Sequence, residues 1–261
     1  MAKIHPTAVV DPAAKLADDV VIGAYAVVGE HVELRAGVEL RPHSHVRGHT
    51  TVGERTRIFP FSVVGEEPQD KGFDPAMETA LEVGSDNVIR EHVSIHLGTP
   101  GGGGCTRIGD DNLFMNGSHV GHDARIGDHV IVASNSAIGG HCQIHDHSVI
   151  GALSGVHQFT RVGESVMVAG LAGVAQDAPP FSLVAGERTT IRGLNAVGLR
   201  RRGFTTEVRK EIKRAYHIVF HSKLRLEVAL DRIREEGLAS DEVGRLVRFL
   251  ETSERGFSRP Q

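Results

Sequence analysis

At 261 residues, 40% apolar and 24% charged, the chain has the composition of a soluble globular protein long enough to bury a core. Cys105 and Cys142 are too few for a disulfide framework or a thiolate metal site. The amino terminus has no apolar run of signal-peptide length and nowhere do 18 apolar residues occur in a row, so a reducing, cytoplasmic setting without membrane insertion is expected. The net charge of −4 hides an asymmetry: residues 1–187 carry 12 Lys and Arg against 23 Asp and Glu, residues 188–261 carry 17 against 10. A basic end suits an anionic partner such as a nucleotide, a phosphopantetheine carrier or nucleic acid, although a solvated helical face would look the same.

From Ile4 onward every sixth residue is aliphatic: Val10, Leu16, Ile22, Val28, Leu34, Leu40, Val46, Val52, Ile58 and Val64. The count resumes at Val83, Ile89 and Ile95, and again from Ile108 through Phe114, Val120 and Ile126 to Val174. Four places after each comes a small or short residue, among them Ala26, Ser44, Thr50, Thr56 and Ser62. A period of six suits neither a helix nor a long alternating strand. It suits short strands joined by tight turns, three to a triangular coil, so that 18 residues make one rung and the aliphatics stack inward. This is a parallel β-helix with rungs about 4.8 Å apart. Similarity to hexapeptide-repeat proteins implies a left-handed coil, against the usual crossover rule. The glycines one place after the aliphatic (Gly23, Gly29, Gly53, Gly109, Gly127, Gly151, Gly163) are expected to supply positive φ at the corners.

The period breaks twice, placing loops near 66–80 and 97–106. The second holds Gly101-Gly-Gly-Gly104, which lacks the Lys-Ser/Thr of a phosphate-binding loop and reads as a flexible excursion. After Val174 the pattern changes at Pro179-Pro180. Helices are predicted from Thr205 or Thr206 to about His221, from Arg225 to Glu236, and from Asp241 to Thr252. The chain thus divides into a β-solenoid over 1–187 and a small α-helical C-terminal domain over 188–261.

With 18 residues to a rung, His122, Gly140, Gln158 and Gln176 share one column, and Asp123 shares the next with His141. A backbone N–H near Gly140 then stands about one rung from the His122 imidazole, leaving room for a carbonyl carbon between a base and an oxyanion donor. Asp123 next to the histidine suits the partner that fixes its tautomer. Of 16 histidines, 14 lie in the solenoid, so most are corner residues; His43, His45, His49, His145 and His147 are read that way. A competing reading has His92, His96, His119 and His122 as ligand types for zinc, which the γ-class carbonic anhydrases bind through three histidines between subunits, although the spacing of His119 and His122 does not match that class.

Longer strings are more specific. Gln69-Asp70, Ile89-Arg-Glu91, Ser94-Ile-His96, His119-Val-Gly-His-Asp123, Gly140-His141, Val156-His-Gln-Phe159, Gly173-Val-Ala-Gln-Asp177 and Gly198-Leu-Arg-Arg-Arg-Gly-Phe204 together resemble the UDP-N-acetylglucosamine O-acyltransferases, over residues 1 to about 256. The resemblance implies transfer of a 3-hydroxyacyl chain from acyl carrier protein to the 3-hydroxyl of UDP-N-acetylglucosamine, the first step of lipid A biosynthesis, with no metal or other cofactor. N-acylation of an amino analogue of that sugar is the nearest alternative. His122 matches the family's general base, Asp123 its orienter and Gly140 its oxyanion donor. His119, His141, His157 and Gln158 match residues lining the sugar and thioester site, while Asn195 and Arg201 match contacts on the nucleotide side. Asp70 and Lys71 fall at a substrate-binding pair, although the family usually spaces its lysine two residues after the aspartate. Val197 stands where many members have Glu. Gly170 matches a position that limits acyl length when bulky, so it favours a long chain. The family is a homotrimer with clefts between prisms, and its acidic carrier gives the basic end a purpose other than nucleic acid.

Overall fold

Most strands are two residues long, because each hexapeptide supplies one inward aliphatic, one outward neighbour and a turn. In the computed structural model, which describes residues 1–260, these strands stack into three sheets of 11, 9 and 8 strands. The chain visits the three faces in turn at Lys3–Ile4, Val9–Val10 and Lys15–Leu16, then returns to the first at Val21–Ile22. Ile4 pairs in parallel with Ile22, and His119 with Ala137, which is the 18-residue register expected. The fold is the left-handed parallel β-helix followed by a helical region. On the first face Ile22, Leu40, Ile58, Ile89, Phe114, Val132, Ile150 and Val168 form one ladder, each no more than 1% exposed. Burying each such side chain stabilises the rod by about 1.5–3 kcal/mol. The small residues fill the remaining inward sites, and some of their hydroxyls bond within the same turn: Ser44 donates to the Arg41 carbonyl at 2.8 Å and Thr50 to that of Arg47 at 2.6 Å.

The corner glycines do a different job from the one expected. None of Gly23, Gly29, Gly53, Gly109, Gly127, Gly151 or Gly163 has positive φ. The left-handed residue stands three places after the inward aliphatic instead, as at Tyr25, His43, Phe61, His92, Asp123, His141 and Phe159. Asp, Asn and His tolerate that conformation better than most residues, which accounts for many of the chain's histidines. All of these glycines but Gly29 are required by close approach: a Cβ on Gly53 would lie 2.4 Å from the Gly84 carbonyl carbon, and one on Gly151 2.5 Å from the Gly170 nitrogen.

Two rungs are longer. Ile58 pairs with Ile89 and Ile89 with Phe114, offsets of 31 and 25 residues where an ordinary rung has 18. The extra residues lie between Val63–Glu66 and Ala80–Val83, and between Ser94–His96 and Cys105–Ile108. Both insertions leave from the edge between the second and third faces.

The rod ends in a hairpin. Ser182–Ala185 continues the first sheet in parallel with Met167–Val168 and pairs antiparallel with Thr190–Leu194. Four helices follow: α1 (Ala196–Arg201), α2 (Thr206–His221), α3 (Leu226–Glu235) and α4 (Asp241–Glu251). Helices α2 to α4 fall within a residue of the predicted bounds. Thr205 caps α2 by accepting the Val208 N–H at 3.2 Å. The short α1 was not predicted. Among the contacts that hold the helices to the rod, Tyr216 donates its hydroxyl to the Pro179 and Pro180 carbonyls, and Arg161 donates to Asp177, Thr252 and the Phe249 carbonyl at 2.8, 2.9 and 3.0 Å.

Candidate active site

Residues 121–124 turn the corner from His119–Val120 on the second face to Arg125–Ile126 on the third. The turn places Asp123 at φ 59°, with its N–H donating to the Thr106 hydroxyl oxygen at 2.7 Å. That conformation sends the Asp123 side chain back across the coil, where its carboxylate is wholly buried. His122 Nδ1 lies 2.8 Å from Asp123 Oδ2. A carboxylate can only accept, so Nδ1 carries the proton and Nε2 keeps a lone pair. The imidazole remains partly open, with its side chain 18% exposed. The pair therefore combines a fixed tautomer with a reachable basic nitrogen.

Gly140 lies one rung on. A Cβ there would stand 2.8 Å from both Nε2 and Cε1 of His122, so only glycine leaves the ring its place. The Gly140 N–H meets no backbone acceptor among the described residues, while the next amide, of His141, donates to the His122 carbonyl at 2.9 Å. The His141 ring meets His122 edge-on at 5.0 Å and stacks on Phe159 at 4.4 Å. On the other side, His119 Nδ1 is 2.9 Å from the Ser94 hydroxyl and its ring 5.1 Å from that of His96. Burial, with His96 and His122 nearby, pulls the His119 pKa down to about 4, so it stays neutral at physiological pH. His157 and Gln158 are exposed one rung beyond Gly140. Gly102, Asp123, His141, Phe159 and Arg255 line one cavity of about 600 Å³ along the third face.

Comparison with known proteins decides the family. Residues 177–258 match the family described as UDP-N-acetylglucosamine O-acyltransferase, domain 2, and residues 105–140 match the bacterial transferase hexapeptide. An acyl-[acyl-carrier-protein]--UDP-N-acetylglucosamine O-acyltransferase of Myxococcus xanthus is 49% identical over 99% of this chain and the whole of that relative. The chain belongs to the UDP-N-acetylglucosamine O-acyltransferase family. The protein of the same name from Akkermansia muciniphila is 55% identical over 98% of this chain and 99% of its own. Among solved structures, LpxA from Acinetobacter baumannii superposes with a TM-score of 0.95 at 39% identity, covering 98% of this chain and 99% of that one.

Within one chain the family's remaining positions do not all meet His122. Asp70 and Lys71 are exposed in the first insertion, where Asp70 Oδ1 accepts the Gly72 N–H at 2.9 Å. Gly170 lies on the edge between the first and second faces, beside the exposed Leu171. Asn195 belongs near the third edge: its Oδ1 caps α1 by accepting the Gly198 N–H at 3.0 Å, and its Nδ2 donates to the Ser165 carbonyl at 2.9 Å. Arg201 is exposed in the last turn of α1, whereas the adjacent Arg202 is held by Glu164 and Ser165.

The histidine set considered for zinc is not brought together within one chain, because His92 stands on another edge, stacked on Phe61 at 5.2 Å. Among the described residues the cluster with metal-ligand spacing is His122, Asp123 and His141, whose ligand atoms lie within 4.8 Å of one another. There Asp123 already accepts from His122 and from Thr99. No helix among the described residues is long and apolar enough to cross a membrane.

The glycine-rich insertion is not the free excursion expected from its composition. Its backbone lies against Asp123, so that a Cβ on Gly102 would fall 2.1 Å from the Asp123 Cγ. Thr99, Gly102 and Thr106 were invisible as site residues, since their role depends on how a seven-residue insertion folds back. Arg255, from the C-terminal segment, also escaped notice; its guanidinium stands 3.3 Å from His157 Nδ1.

Proposed function

We propose that the chain transfers a 3-hydroxyacyl group from acyl carrier protein to the 3-hydroxyl of UDP-N-acetylglucosamine, the opening step of lipid A biosynthesis, in the cytoplasm. The observation that carries the chemistry is the buried Asp123 carboxylate 2.8 Å from His122 Nδ1, with Gly140 set against the other side of the ring. His122 Nε2 takes the sugar hydroxyl proton as that oxygen attacks the thioester carbonyl. The developing oxyanion is stabilised by the Gly140 N–H. Collapse breaks the carbon–sulfur bond, and the imidazolium returns the proton to the thiolate, so the base is regenerated. The relatives named above are O-acyltransferases, which favours the oxygen ester over N-acylation of an amino sugar.

The working unit is a homotrimer. Asp70 and Lys71, Gly170, and Asn195 with Arg201 leave the prism at different places, so in one chain they do not surround His122. A neighbouring prism packed along the rod supplies the missing sides of the cleft. The open Gly170 favours a long acyl chain.

The test is incubation of purified protein with UDP-N-acetylglucosamine and 3-hydroxyacyl carrier proteins of graded length, with and without chelator. An ester product whose yield ignores chelation is expected, and His122→Ala should lose about a hundredfold or more in rate. Full activity in that variant would remove the base assignment, and activity abolished by chelation would restore a metal reading.

A further inference from the structure

The His122–Asp123 pair is itself held by a third residue. We propose that Thr99 is a positioning residue for the transfer reaction, fixing the Asp123 carboxylate so that His122 keeps one orientation; this rests on His122 being the base. Thr99 is 7% exposed and Asp123 5%. The Thr99 hydroxyl donates to Asp123 Oδ2 at 2.6 Å, and its N–H approaches Oδ1 at 3.0 Å and Oδ2 at 3.1 Å. With His122 on Oδ2 at 2.8 Å, the buried carboxylate is gripped from two sides. Charge-assisted bonds of this kind are the strong ones, and removing one donor there leaves a buried charge under-satisfied.

The loop is built to present that grip. The Thr99 carbonyl accepts N–H groups from Gly102 at 3.0 Å and Gly104 at 2.9 Å, closing a single turn that begins with Pro100. Ala80 ties the loop to the rod at both ends, accepting from Gly98 at 3.1 Å and donating to Gly104 at 2.8 Å. The turn lays Gly102 directly on the carboxylate, where any side chain would collide. Without the Thr99 hydroxyl, Oδ2, the oxygen that His122 Nδ1 meets, loses its shortest bond and keeps from Thr99 only the N–H at 3.1 Å, so His122 has a less firmly fixed acceptor.

The experiment is a double-mutant cycle on the full-length protein, reading kcat and both KM values. Thr99→Val should lower kcat about tenfold or more, with KM changed less than threefold. Thr99→Ser, which keeps the hydroxyl, should stay within about threefold of wild type. In an Asp123→Ala background, Thr99→Val should cost less than twofold, since the group it acts on is gone. Equal losses in both backgrounds, or full activity in Thr99→Val, overturn the proposal. If Thr99→Val does not fold, Thr99→Ser decides: a folded protein with a tenfold loss overturns it. Should His122→Ala prove fully active, the base assignment fails instead, a separate result.

Discussion

Gly140 stands so close to His122 that one methyl group would fall 2.8 Å from the imidazole Nε2 and Cε1. Gly140 has no positive φ, so its backbone would accept alanine without strain. The expected result of Gly140→Ala is therefore a displaced ring in an intact fold. A misplacement of this kind costs about 10² in rate. Steady-state kinetics should show that loss with the melting temperature within a few degrees of wild type. A kcat within threefold of wild type would mean the ring can move without consequence, and that the corner is not the reacting centre.

Charge on the helical end gives a second expectation. Arg200 and Arg201 close the last turn of α1, and Arg201 is exposed. Arg202 is occupied by Glu164 and should be left alone in the test. Reversing the first two to Glu should raise KM for the anionic substrates several-fold at low salt, with the difference shrinking as salt is added, because exposed charges are screened beyond about 10 Å at 0.1 M. A KM difference independent of salt from 0.02 to about 0.5 M would point to lost packing instead.

Acid stability follows from His119. Burial, with His96 and His122 close by, lowers its pKa from 6.5 to about 4. Between those values the unfolded chain binds a proton that the folded chain does not. Stability is therefore fully present above pH 6.5 and falls as the pH drops toward 4. His145 and His147 are shifted the same way, chiefly by burial, and add to the slope. Chemical unfolding between pH 7 and 4.5 should show a shallower loss for His119→Gln than for wild type. Parallel curves would exclude His119 as a contributor.

The rod was legible in the sequence because every coil repeats the same physical demand. An inward aliphatic such as Ile58 recurs at six residues, and an interruption shows at once as a miscount. Register then placed Gly140 beside His122 by counting alone. The corner conformation was misread: Gly53 and Gly151 look like turn glycines, yet what they avoid is collision with the next coil, a relation between residues 18 or more apart. Thr99 could not be found in this way, because it lies in an insertion where the period is suspended. Asn195 marks the opposite limit. The resemblance makes it a nucleotide contact, whereas within the chain both ends of its amide are spent on a helix cap and a carbonyl.

The join between rod and helices supplies the last prediction. Arg161 Nε donates to Asp177 at 2.8 Å, its other nitrogens reach Thr252 and the Phe249 carbonyl, and its guanidinium lies 4.4 Å over the Phe249 ring. Asp177 is only 1% exposed and also accepts from Ser253 at 2.9 Å and from the Arg161 N–H at 2.9 Å. Replacing Arg161 with Met keeps much of the packing on Phe249 but removes the only cation within ion-pair distance of Asp177 among the described residues. Breaking a buried pair from one side costs about 3–5 kcal/mol, more than the pair itself contributes. Arg161→Met should therefore lower the midpoint of denaturant unfolding, and Arg161→Met with Asp177→Asn should recover part of the loss. If the double variant is no more stable than the single one, the cost lies in the lost contacts to α4 rather than in the stranded carboxylate.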